Sequence, residues 1–231
     1  MTIPSQCARC KIPLKEKCCQ VENGRGPAFC PTINFSHLIE PVLAQYEQPD
    51  KKEFARLASV QEAECYANRG PEPYVLQPQK SRLQETIEFA HKLSCKRLGL
   101  AFCRGLHYEA RLLVDVLEAN GFEVASVRCN VGRVYKEAIG IQASEKVRIG
   151  TQETMCNPLM QAEVLNHAET DLNIVLGLCV GHDSLFLKQS SAFCTVLAVK
   201  DRVTGHNPMA ALYTSHSYYQ KLKHPDRSQD S

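Results

Sequence analysis

Asn173–Phe186 reads NIVLGLCVGHDSLF. Its first half is an apolar run of the kind that fills a buried strand. Gly177-Leu178-Cys179-Val180-Gly181 then turns the chain toward a polar helix start at His182-Asp183-Ser184. A strand leading through a glycine turn into a helix is the repeating unit of a parallel sheet, whose strands need crossovers between them. The alternation extends both ways from this point. Upstream, a helix over 81–94 leads to the strand RLGLAFC (Arg97–Cys103) and a helix with Leu106, Ala110, Leu113 and Leu117 on one face. Asn120-Gly121 ends that helix, and the strand FEVASVRC (Phe122–Cys129) follows. A less regular stretch, 130–155, predicts a short strand near Val147–Ile149, and Asn157-Pro158 opens another helix. Downstream, CTVLAVKD (Cys194–Asp201) reads as a strand and NPMAALYTSHSYYQKL as a closing helix. The expected fold over 79–231 is α/β, a Rossmann-like, mostly parallel sheet with flanking helices. Ligands of such sheets bind outside the carboxyl ends of the strands.

Two segments precede this domain. Residues 1–35 are rich in Cys, Lys and Gly with little apolar periodicity, so they are expected to be a metal- or cluster-binding segment that cannot form a core unaided. Residues 36–78 read as a helical segment and connector. Pro41 interrupts the helical pattern, Asp50 is a plausible N-cap, Gly70 a stop, and the connector is punctuated by prolines. The chain has 231 residues, 44% hydrophobic and 23% charged, the proportions of an ordinary globular protein with room for one good core. A formal charge of +2 gives no electrostatic reason to expect nucleic acid or an anionic membrane as partner. The start carries no apolar signal segment and no run suits a membrane span, so the expectation is a cytoplasmic protein. Its partner would be a small-molecule substrate or a redox partner.

Twelve cysteines are too many for such a chain to leave unexplained. In a reducing compartment they are not expected to pair as structural disulfides, which leaves ligation, reactivity or burial. One constellation is Cys7-x-x-Cys10, Cys18-Cys19 and Cys30-Pro31. A C-x-x-C pair puts two sulfurs on one tight loop, and four thiolates suit tetrahedral zinc or a 4Fe-4S iron–sulfur cluster. Five thiols for four positions make one of Cys18 and Cys19 spare. The alternative is free thiols on an unstructured terminus. A second constellation is dispersed: Cys103, Cys129 and Cys179 each end an expected strand, and Cys156 precedes a helix cap. In a parallel sheet these would gather at one edge, where helix N-termini favour thiolates. Together they could hold a second metal, a cluster or a substrate, with His182 completing the shell. The competing reading makes them small apolar residues at strand ends. Cys65, Cys95 and Cys194 read as buried thiols.

Gly177-x-Cys179-x-Gly181 also has the form of a nucleophile elbow, with Cys179 as nucleophile beside His182 and Asp183. A thiol hydrolase or amidotransferase-like enzyme would then need a downstream base, for which His206 and His216 are available, and the amino-terminal zinc would be structural only. Against this, Asp183 or Ser184 suits a helix cap, and the elbow explains one cysteine where ligation explains four. Asp201, Arg202 and His206 fall at the same ligand edge, and Asn207 suits a cap.

Cys7-Ala8-Arg9-Cys10 and its following cysteines, together with CNPLMQAEVLN, GLCVGHDSLF and KDRVTGHNPMAALY, resemble an uncharacterised prokaryotic family filed as domain of unknown function 1847 and described as predicted metal-binding proteins. The resemblance covers nearly the whole chain. It implies metal binding and carries no reaction, substrate or catalytic role.

Overall fold

The computed structural model describes residues 4–70 and 75–224, and the chain divides into two units, 1–60 and 61–231. The first unit is made of short turns and helices. Single 3-10 turns at Cys7–Arg9 and Leu14–Glu16 precede α1 (Pro31–Asn34), α2 (Ile39–Leu43) and the long α3 (Pro49–Glu64). Pro41 is the third residue of α2, where a backbone N–H would have no helical acceptor, so it sits in the helix without breaking it. Lys17–Arg25 is closed by Cys18 N–H donating to the Arg25 carbonyl at 3.1 Å and Arg25 N–H donating to Glu16 at 2.8 Å. Among the described residues of this unit, Cys30 and Leu57 are the buried apolar side chains. That is far too little burial to offset the entropy of ordering the segment.

In the second unit α3 ends at Glu64, ahead of the expected stop at Gly70. Tyr66–Ala67 (β1) pairs antiparallel with Gln77–Pro78 (β2), and connector residues 71–74 lie outside the described residues. Then follow α4 (Arg82–Lys92, with the Ser81 hydroxyl capping Gln84 N–H), β3 (Arg97–Phe102), α5 (His107–Ala119), β4 (Glu123–Arg128), α6 (Pro158–His167, capped by Asn157), β5 (Leu172–Leu178), α7 (His182–Gln189), β6 (Phe193–Val199) and α8 (Met209–Tyr213). The expected strand near Val147–Ile149 does not form. Both side chains are solvent-exposed, at 83% and 73%, and Tyr135 makes the local bridge with Thr154 instead. The closing helix is also shorter than its sequence suggests, ending at Tyr213 before a separate 3-10 turn at Gln220–Leu222.

Strands β4-β3-β5-β6 form one wholly parallel sheet in that order. Alternate side chains of the central strands serve opposite faces. Leu98, Leu100, Phe102, Leu172 and Ile174 pack with Ala90 of α4 and Leu113 and Leu117 of α5. Ala101, Cys103, Val127, Cys129 and Val175 pack with Ala162 and Leu165 of α6 and Phe186 of α7. The core therefore has helices on both faces, and both central strands are mostly apolar, as expected of parallel strands covered on two sides. Two polar side chains are fully buried in it, Gln161 and Asn173. Asn173, fully buried in β5, accepts from the Thr170 hydroxyl and donates to that of Ser190, both at 2.8 Å. Gly99 lies opposite it, and a Cβ there would stand 1.8 Å from the Asn173 carbonyl oxygen, so the β3 glycine makes room for this amide.

The chain leaves β3 for β4 on one side and returns to β5 on the other. That reversal places a topological switch point between the carboxyl ends of β3 and β5, where open sheets of this kind leave a crevice.

An ion-pair network joins the end of α3 to α4. Lys80 pairs with Glu88 at 2.5 Å, Lys92 with Glu64 at 2.8 Å, and Gln61 bonds both Glu88 and Lys92. The Lys80 ammonium, the Gln61 amide and the Gln84 amide hold the Glu88 carboxyl down at about 2 against an ordinary 4.5. A depressed carboxylate stabilises the fold above its unfolded value, and that contribution disappears as pH falls through the folded value. Glu88→Gln is expected to cost about 1–2 kcal/mol in urea denaturation at pH 7. The gap to wild type should close between pH 4.5 and 2; an unchanged gap across that range would contradict the account.

Candidate functional site

Backbone register brings the dispersed cysteines together. Phe102 pairs with both Arg128 and Leu176, so Cys103 falls level with Cys129 and Gly177, one residue beyond the strand ends. Hydrogen bonds fix that level: Cys103 N–H donates to Leu176 at 3.1 Å and Cys129 N–H to Phe102 at 2.9 Å. Both side chains belong to the sheet face covered by α6. Cys156 arrives from the other direction, because Asn157 N–H donates to the Cys129 carbonyl at 2.6 Å just before α6 begins. Cys156 packs against the same cluster. The Arg104 N–H donates to the Cys129 sulfur at 3.2 Å.

The three thiols act on one another. Cys103 is pushed up to about 12 by its interaction with Cys129 and by burial, against an opposing contribution from Lys200. Cys129 is pulled down by Cys103, but Cys156 and burial raise it above its ordinary value. Cys156 is lowered, chiefly by Cys129, and feels the charge of Cys179 and Arg104. Cys156, the one lowered thiol of the row, is the one beside the N-terminus of α6.

Cys179 reaches the row from the loop after β5, and its charge acts on Cys156. It is two residues beyond Gly177, and its sulfur accepts from the Arg202 guanidinium at 3.2 Å. The turn has the expected strain, with φ of +66° at Gly177 and +84° at Gly181. A Cβ on Gly177 would lie 2.1 Å from Leu106 Cδ1, so glycine is needed there on two counts. Backbone bonds and a local cap tie Cys179, His182 and Asp183 together. His182 and Asp183 donate backbone N–H groups to the Cys179 carbonyl at 3.0 and 3.1 Å, while the Asp183 carboxylate accepts from Ser184 N–H at 2.7 Å. Among the described residues His182 Nδ1 is buried without a hydrogen-bond partner. His206 Nδ1 lies 2.9 Å from the Val199 carbonyl.

Three groups that the sequence did not single out complete the crevice. Lys200 brings its ammonium to 3.7 Å and 3.8 Å from where Cβ atoms on Gly105 and Gly177 would stand, at the switch point itself. Arg104 supplies a backbone donor. Gln161, fully buried on the first turn of α6, donates to the carbonyls of Phe102 and Val127 and so ties the ends of β3 and β4 beneath Cys103 and Cys129. A lysine closing an apolar strand, as in LAVK, was the available signal for Lys200. Among the described residues no carboxylate pairs with Arg104, Lys200 or Arg202.

In the amino-terminal unit Cys18 and Cys30 bring their sulfurs to 3.5 Å. Cys30 is buried and precedes α1, whose Ile33 N–H lowers its thiol against the opposing effect of burial, while Cys18 is raised by its bond to Cys30. Cys19 is exposed. Cys7 and Cys10 share one turn, Cys10 N–H donating to the Cys7 carbonyl at 3.0 Å. All twelve cysteines are free thiols. Among the described residues no three His, Cys, Asp or Glu side chains are disposed to hold a metal ion as they stand.

Fold and site together define a doubly wound α/β protein with thiols and cations gathered near the carboxyl edge of its sheet. The family profile described as "Protein of unknown function (DUF1847)" matches residues 30–197, and the chain belongs to that family. It is 40% identical over 185 residues to "Uncharacterized protein MJ0455" of Methanocaldococcus jannaschii, covering 80% of this chain and 88% of that protein. No solved structure matches.

Proposed function

We propose that the protein is a cytoplasmic metal–thiolate protein whose crevice, lined by Cys103, Cys129, Cys156 and Cys179, binds an iron–sulfur cluster for redox or cluster-dependent chemistry on a small molecule. The observation that carries this reading is the row Cys103–Cys129–Cys156, three interacting thiols from three separate loops on one sheet face. The donor set fits: soft sulfur ligands select iron–sulfur clusters and zinc. A single ion with bonds of about 2.3 Å needs all its sulfurs mutually within about 3.8 Å, whereas a cluster binds each thiolate to a different iron and spreads them wider. Flanking cations and sulfur-directed N–H groups suit the negative charge of a thiolate-bound cluster. When bound, the cluster would supply electron transfer or a Lewis-acidic iron.

The Cys18–Cys30 pair supports a separate, single-ion site. Its 3.5 Å sulfur separation matches tetrahedral zinc, and Cys7 and Cys10 on their shared turn are the companion thiols. In this reading Cys19 is the spare. The thiol hydrolase reading is the weaker, because Cys179 faces a guanidinium and no imidazole.

Anaerobic purification followed by iron, zinc and acid-labile sulfide analysis tests the proposal. Wild type is expected to be brown, with equivalent iron and sulfide plus one zinc. Cys129→Ser should lose the iron and sulfide and keep the zinc. A colourless wild-type protein without sulfide would sink it.

A further inference from the structure

Independently of what the thiols bind, we infer that the protein pairs with a second copy of itself through an apolar stripe of its amino-terminal unit: Phe35, Leu38, Ile39, Val42, Leu43 and Tyr46. Helical turns follow one another from Ser36 through α2 to Glu47, and Phe35 stands just before the first of them. At positions i, i+3, i+4, i+7, i+8 and i+11 the six side chains line one side of those turns. Such a stripe ordinarily faces a core. Here every residue from 33 to 50 is exposed, and the six keep between 37% and 51% of their surface. A contiguous apolar patch rimmed by polar residues marks an interaction site.

Spacing identifies the occupant. In a two-fold contact, if residue i meets j then j meets i, so the surface must complement itself. The stripe meets that condition. Laid antiparallel across an axis between Glu40 and Pro41, Ile39 meets Val42, Leu38 meets Leu43 and Phe35 meets Tyr46. Every apolar side chain then faces another, and none is left over. Charge agrees, because Glu40 and Glu47 fall off the stripe and identical copies approach without opposed like charges. From Pro31 to Asp50 there is no lysine or arginine, whereas a helix that lies on an anionic membrane is rich in them. Area agrees as well. Six large side chains exposed to this degree offer roughly 500–600 Å² per copy, so a pair buries roughly 1,000–1,200 Å², the small end of specific interfaces. The dimer is therefore reversible.

Sedimentation equilibrium of the full-length protein under reducing conditions tests the inference. Wild type is expected to move from the mass of one chain toward that of two between about 1 and about 100 μM. Ile39→Glu/Val42→Glu sets carboxylates against one another at the axis. It should stay monomeric throughout, weakened at least about 100-fold, with unchanged far-ultraviolet circular dichroism. Leu38→Glu and Leu43→Lys should each pair poorly alone and recover when mixed, because the antiparallel register opposes them. Leu38→Glu mixed with Leu38→Lys should not recover. A wild type still monomeric at the upper concentration, a dimer that survives Ile39→Glu/Val42→Glu, or recovery only in the Leu38→Glu/Leu38→Lys mixture overturns the inference.

Discussion

Gly177→Ala is expected to lower the stability of the α/β unit by about 2–4 kcal/mol, read as a shift in the urea midpoint without change of slope. Two effects add. A left-handed backbone costs an L-residue about 1–2 kcal/mol, and Gly177 has φ of +66°. The new methyl would also meet Leu106 Cδ1 at 2.1 Å, and Leu106 is a buried member of the core that cannot retreat without opening it. Gly140 separates the two terms. Its φ is +81°, yet nothing lies within 4 Å of the position a Cβ would take, so Gly140→Ala should show the backbone cost alone. Equal losses at the two positions would mean that the Leu106 contact is not what holds β5's carboxyl end in place. Because Lys200 lies beside the same position, Gly177→Ala should also disturb the crevice.

On the proposed zinc reading, chelation is expected to unfold the amino-terminal unit while leaving the sheet intact. Residues 4–60 bury only Cys30 and Leu57 among their apolar side chains, and their surface ion pairs, such as Arg25–Glu16, are solvent-exposed and contribute little. On that reading ligation supplies the main folding free energy, on the order of 10 kcal/mol for structural zinc. Treating the protein with a strong zinc chelator at pH 7 should abolish amide-exchange protection in α1 and α2 and spare β3, β4 and β5. Cys18→Ala and Cys30→Ala should each reproduce that loss in the absence of chelator, and Cys19→Ala should not. Persisting protection in α1 after zinc removal would show that the unit is held by something other than its thiols.

Much of this was legible in the sequence. Apolar runs ending in RLGLAFC and NIVLGLC, separated by helices with Asn-Pro and Asn-Gly boundaries, are consistent local and global signals, and they fold as the pattern implies. That Cys103 and Cys129 share an edge follows from each ending a strand. Cys179 ends its strand by the same reading, but its depth depends on the pairing Phe102–Leu176, which no local pattern encodes. Lys200 was missed because a lysine after an apolar strand ordinarily points to water, whereas here two glycines let it lie across the switch point. Cys18 and Cys19 are adjacent and chemically identical; only the turn closed between Cys18 and Arg25 directs one of them to Cys30. The Val147–Ile149 run lies exposed and forms no strand among the described residues, because pairing, unlike propensity, is a tertiary property.

X-ray absorption at the iron edge of the anaerobically isolated protein tests the gathering of thiols at the sheet's carboxyl edge most directly. The account predicts an all-sulfur first shell with short iron–iron distances in wild type, and disappearance of that signal in Cys129→Ser. A shell of nitrogen and oxygen, or an iron signal indifferent to Cys129, would contradict it.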